Sequence, residues 1–144
     1  STAAKFEWMY PVHKEFGVLA FLIGAIALIV RRGSALPHHP AGLAAWEIIL
    51  SNMVQYAMLA LAIVVPLMGY AMSSSFTQSD GVPFFVTDLP ELLPGNDHAF
   101  ALFAVAHKTL AYTLLALVVL HVMGVLKHRF LDRGRAADVL RRML

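Results

Sequence analysis

Seven histidines are spread along this 144-residue chain. Three of them, His13, His107 and His121, fall in long apolar stretches, where an ionisable side chain is expensive to bury and is by default a candidate for function. Fourteen positions separate His107 from His121; on a helix that is about four turns less roughly 40°, with a rise of ~21 Å, so both rings share one face at opposite levels. Imidazole is a ligand of metal ions and of haem iron. One helix carrying two histidines in this way can serve two stacked b-type haems. His13, in the first turn of an earlier apolar stretch, is placed to bracket one iron together with His107. Two axial imidazoles leave no open position on the iron, which suits one-electron transfer and disfavours oxygen binding.

Small residues accompany these positions: Gly17 follows His13 by four, Ala104 and Ala111 flank His107, and Gly124 follows His121 by three. A porphyrin plane needs such gaps, although small residues also serve plain helix packing. The competing reading, that each histidine is only a hydrogen-bonded structural residue, is weakened by three of them at matched depths. His38 and His39 in a Pro-flanked loop, His98 in a second loop and His128 at a headgroup level are expected not to be ligands. Lys14 and Lys108 each directly follow a proposed ligand. Their cations would raise the potential of a nearby centre and steer a small anion toward it by field focusing, or would simply snorkel to headgroups.

The elements that must position these side chains follow from hydropathy. With 59% hydrophobic residues, 14% charged and a mean hydropathy of +0.69, the chain is too apolar for a soluble fold of its size. Residues 12–30, 47–72 and 100–126 are each long enough to cross a ~30 Å hydrocarbon layer as a helix, which predicts one all-α membrane domain over residues 1–144. The first span stops at Arg31, Arg32 and Gly33. Pro66 lies within the second, where a kink near Ala62 is expected and not an end. The connection 73–99 exceeds the ~12–15 residues usual for a structureless loop; its segments Val82 to Val86 and Leu89 to Pro94 suit an interfacial lid over a cofactor edge or a passive connector.

Charge orients the spans. No Lys or Arg occurs between Arg32 and Lys108, whereas Arg31, Arg32, Lys127, Arg129, Arg133, Arg135, Arg141 and Arg142 flank the first loop and the C-terminal tail 127–144. The positive-inside tendency makes both regions cytoplasmic and the acidic loop 73–99 outward. The N-terminus then starts outside without a signal-peptide pattern. A transmembrane segment preceding Ser1, or one supplied from elsewhere, would account for this. The excess of Lys and Arg is small, 11 against 9 acidic residues, and implies no nucleic-acid partner. The absence of cysteine excludes thiolate-held clusters and covalent c-type haem attachment.

Four runs of residues carry a family resemblance. Pro11 to Gly17 (PVHKEFG), Pro66 to Ser74 (PLMGYAMSS), His107 to Tyr112 (HKTLAY) with His121, and His128 to Asp132 (HRFLD) with Leu140 to Met143 resemble the bacterial cytochrome b561 family over essentially the whole chain. The resemblance implies a four-helix membrane bundle of which this chain has the last three helices. It implies that His13 and His107 hold an outer b haem, and that His121 holds an inner one whose second ligand would come from a first helix. No other histidine of the chain replaces that ligand, and Asn52 and Gln55 stand where many relatives have histidine.

The family also implies residence in the bacterial inner membrane and electron transfer linked to quinone, in some members with superoxide as donor. The tail's arginines suit anchoring to anionic lipid. The alternatives are an anchor cytochrome subunit of a larger respiratory or photosynthetic complex, and a non-redox structural subunit whose histidines merely pack.

Overall fold

The structure is a computed structural model that describes residues 5–34, 44–79 and 81–130; His38, His39 and the tail beyond Phe130 lie outside them. A five-residue π-helical turn, Lys5–Met9, runs directly into α1 (Tyr10–Gly33), followed by α2 (Ala45–Ser75), the strands β1 (Val82–Phe84) and β2 (Thr87–Leu89), and α3 (Asp97–Phe130). All three long helices are apolar enough to cross a membrane. At 1.5 Å per residue, α2 and α3 reach roughly 46 and 51 Å, so both protrude beyond a ~30 Å hydrocarbon layer.

The ends of the helices explain the excess length. Pro11 sits in the first turn of α1, where its missing N–H costs no helical bond, and Arg31 and Arg32 occupy the last turn, where cations complement the helix dipole. At the start of α2 the Glu47 carboxylate accepts the Ala44 N–H at 3.1 Å, half of a capping box, and a second oxygen of Glu47 pairs with Lys127 of α3 at 2.6 Å. α3 begins at Asp97 because Asn96 Oδ1 accepts the N–H groups of His98 and Ala99 at 3.0 and 3.1 Å. That cap starts the helix three residues before its apolar run, and His98 therefore stands in the first turn of α3 and not in the loop.

α2 continues unbroken through Pro66, as its membrane setting predicts. Pro66 offers no N–H to the Ala62 carbonyl, and that carbonyl turns toward α1. A Cβ placed on Gly24 would come within 3.3 Å of the Ala62 oxygen, so glycine is what allows this approach. Gly24 is the buried residue of α1. α2 packs against both other helices, whereas α1 and α3 make at most isolated close backbone approaches to one another. Large apolar side chains such as Ile23, Ile26, Met53, Leu102 and Met123 are exposed, as expected where lipid and not water surrounds the bundle.

The connection from α2 to α3 has structure of its own, which alternating hydrophobicity alone did not signal. β1 and β2 pair antiparallel with Val82 opposite Leu89, Pro83 opposite Asp88 and Phe84 opposite Thr87. In a two-stranded ribbon every strand is an edge, which is where proline is tolerated. The two-residue turn puts Phe85 at φ 52°, the left-handed region that favours glycine. Val82, 2% exposed, is buried, and β1 lies against α1.

Buried Ser73, Ser74 and Ser75 stitch the connection back onto α2. Ser74 Oγ accepts the Leu93 N–H at 2.9 Å, Ser75 O accepts the Asn96 N–H at 2.8 Å, and the Tyr70 hydroxyl donates to the Pro90 carbonyl. Ser74→Ala leaves the Leu93 N–H without its acceptor, a loss of about 1–2 kcal/mol. Amide hydrogen exchange across residues 76–96 is expected to speed up about 5–30-fold while α1 and the centre of α3 keep their protection.

Candidate metal-ligating site

His107 is positioned by the backbone of α2. Its Nδ1 lies 2.9 Å from the Val65 carbonyl oxygen. A carbonyl only accepts, so in the neutral ring this contact keeps the proton on Nδ1 and leaves the Nε2 lone pair free. That is the orientation in which a metal-ligating histidine is commonly held. The ring also lies flat against Gly69: a Cβ there would stand 3.0 Å from Cε1 and 3.1 Å from Nδ1. Glycine at 69 therefore lets His107 sit against the α2 backbone without the crowding that a Cβ would bring.

His13, in the first turn of α1, comes to the same place from the other side. The two ring centroids are 6.0 Å apart and their planes cross at 83°. Metal–imidazole bonds of ~2 Å leave two opposed rings about 6 Å apart, so the pair has the spacing of two ligands to one ion. Because α1 and α3 do not pack along their lengths, the rings stand on the two walls of a cleft floored by α2. The expectation that His13 and His107 meet at one depth holds in the structure.

His121 is not part of this pair. It lies on the half-buried face of α3 that also carries His107, Ala104, Ala111 and Gly124, about 21 Å along the axis from His107. No second histidine meets it among the described residues, and no cluster of three or more His, Cys, Asp or Glu side chains with metal-binding geometry occurs there. At Gly17 and Gly124 an added Cβ would meet nothing within 4 Å, so neither glycine is required by helix packing as Gly24 and Gly69 are.

The two lysines part company. Lys14 Nζ donates to the Gly81 carbonyl at 3.0 Å and so ties α1 to the foot of the hairpin. Lys108 is exposed on the outward face of α3, in an open groove with Val105, Thr109, Tyr112 and Thr113. The parts of the site that sequence reasoning missed are the Val65 carbonyl, Gly69 as a seat for the ring, and the hairpin contact of Lys14. A glycine three residues after a proline inside an apolar helix was the available signal for Gly69; nothing in the sequence marks a carbonyl as an acceptor.

The whole chain, residues 1–144, matches the family described as prokaryotic cytochrome b561. No curated protein and no solved structure matches it.

The contrast between glycines is measurable. Gly→Ala in a helix interior ordinarily stabilises by up to ~1 kcal/mol. At Gly69 the steric conflict with His107 reverses the sign, and Gly69→Ala is expected to lose about 1–3 kcal/mol in unfolding of the detergent-solubilised, cofactor-free chain. Gly17→Ala, facing open space, is expected to lose nothing in the same measurement.

Proposed function

The chain belongs to the prokaryotic cytochrome b561 family and is therefore a membrane cytochrome that binds b-type haem and transfers electrons; from that premise we propose that His13 and His107 are the two axial ligands of one haem. The observation that carries this reading is the facing of the two rings at 6.0 Å, with His107 already oriented by the Val65 carbonyl. The donor set fits the group: two imidazoles that meet where α1 and α3 do not pack on one another, with open space beside Gly17 for a flat macrocycle. Haem held between His13 and His107 would supply one-electron redox chemistry, and two imidazole ligands would disfavour oxygen binding. The chain's own residues hold the ring plane, and the hairpin clipped to Lys14 covers the adjoining end of α1.

His121 is the ligand of a second haem, at the other level of the membrane. Its partner imidazole comes from a further transmembrane segment, in this protein or in a partner subunit. The hairpin end faces outward and the Arg-rich end faces the cytoplasm of a bacterial inner membrane, on the positive-inside tendency. Electrons pass to quinone. Superoxide is the donor that a cation next to the outer ligand favours, and with Lys14 engaged by Gly81 the exposed Lys108 is the better candidate for steering it.

His107→Ala and His13→Ala are each expected to remove the low-spin bis-imidazole spectrum of one haem in the reduced-minus-oxidised difference, read beside pyridine haemochromogen quantitation. Retention of the full wild-type spectrum in either variant overturns the ligand pair. Gly17→Ala, harmless to the cofactor-free chain, lowers haem occupancy if the macrocycle uses that gap. Lys108→Ala slows reduction by superoxide several-fold at low ionic strength, and the difference fades at high salt; an unchanged rate removes the steering role.

A further inference from the structure

We infer that Arg31 receives the carboxylate edge of the haem that His121 holds, an inference that rests on the two-haem reading above. Arg31 closes α1 at the end of the bundle away from the hairpin. One guanidinium nitrogen, Nη1, donates to Gln55 Oε1 at 3.5 Å, and the guanidinium carbon lies 4.4 Å from the centre of the Tyr56 ring. Gln55 is itself fixed, because its amide nitrogen donates to Ser51 Oγ at 3.1 Å, which turns the amide oxygen toward Arg31. The side chain is thus oriented by two neighbours on α2 while its Nε–H is buried and has no partner. A guanidinium edge of this kind matches a carboxylate in a two-bond fork.

No acidic group of the described residues fills that role. Glu47, the acidic residue at this end of α2, is taken by Lys127 and by the Ala44 N–H. Depth identifies what does. α2 and α3 run antiparallel, with His107 against Val65 and Gly69 and Lys127 against Glu47. Counting evenly between those contacts brings His121 level with roughly residue 53 of α2, within ~3 Å in depth of Gln55. Arg31, Gln55 and His121 therefore occupy one level, on three helices, where α1 and α3 leave a cleft between them. A tetrapyrrole on His121 carries carboxylates at its rim, and the free edge of Arg31 is at the depth to meet one. The same oxyanion chemistry is offered by the phosphate of an anionic lipid, which is the other source the experiment must separate.

The test titrates haem and haem dimethyl ester, whose carboxylates are blocked, into the full chain carrying His13→Ala and His107→Ala, which leaves the His121 site, with free imidazole present as the second ligand. Affinity is read from the Soret band and from thermal unfolding, in nanodiscs of zwitterionic lipid with and without phosphatidylglycerol. Haem is expected to bind at least tenfold more tightly than its ester, and Arg31→Gln is expected to abolish that preference. Arg31→Lys, which keeps the charge and loses the fork, restores part of it and shows that the chain still folds.

Equal binding of haem and ester to the chain with Arg31 intact overturns the inference. So does a preference that Arg31→Gln leaves unchanged. An Arg31→Gln effect that appears only with phosphatidylglycerol, and equally for both pigments, assigns the site to lipid and overturns it as well. Failure of the His121 site to bind either pigment, with free imidazole supplied as the second ligand, sinks the two-haem reading itself, an outcome distinct from binding without discrimination.

Discussion

Everything at the hairpin end of the bundle depends on how closely the His107 ring sits on the backbone of α2. A carbonyl oxygen inside a membrane has few partners beyond its own helix, and a histidine inside a membrane is costly unless its polar atoms are engaged. The contact between His107 Nδ1 and the Val65 carbonyl meets both constraints at once. It is eased by the absence of a side chain at position 69, since a Cβ there would crowd the ring at 3.0 Å from Cε1 and push it back by a few tenths of an ångström. The separation of α2 and α3 at this level and the direction of the free Nε2 follow from that seat.

α2 is consequently the spine of the molecule. Gly24 lets α1 approach it at the carbonyl that Pro66 leaves without a helical partner, and Gly69 lets α3 approach it one to two turns further along. Two glycine-mediated contacts on one helix hold two helices that scarcely touch each other. Among the described residues the apolar core is correspondingly thin, with Val54, Val65 and Val82 its buried members. In lipid this is no weakness, because helix association there rests on close backbone packing and hydrogen bonds more than on removal of apolar surface from water. The consequence for function is a cleft between α1 and α3 whose walls carry imidazoles and whose floor is fixed main chain.

How much of this was legible in the sequence depends on the kind of signal involved. The three spans were legible because each is a long apolar run, and the facing of His13 and His107 because antiparallel spans fix depth to within a turn. The face shared by His107 and His121 follows from helical period alone. Helix ends were less legible: Asn96 starts α3 before the hydrophobic run begins, and hydropathy does not register a capping amide. The β-hairpin was missed because three-residue strands with Pro83 in one of them carry almost no periodic signal. Gly69 was legible as a glycine but not as a seat, since that depends on a residue 38 positions away in the chain and on the angle at which two helices meet.

The two ends of the bundle are built on different physics. At the hairpin end, His107 is held by the Val65 carbonyl and by Gly69, and the loop beside it is stitched down through Ser74 and Ser75. Such a site is organised before any ligand arrives, and preorganised groups bind with less ordering to be overcome. At the other end the groups are long side chains: Arg31 on Gln55 and Tyr56, and Lys127 on Glu47 and near Trp46. These retain rotamer freedom and are ordered by what they bind. A chain of this form presents a rigid centre on one side of the membrane and, on the other, a polar end whose final arrangement is set by its ligand and by whatever segment packs beside it.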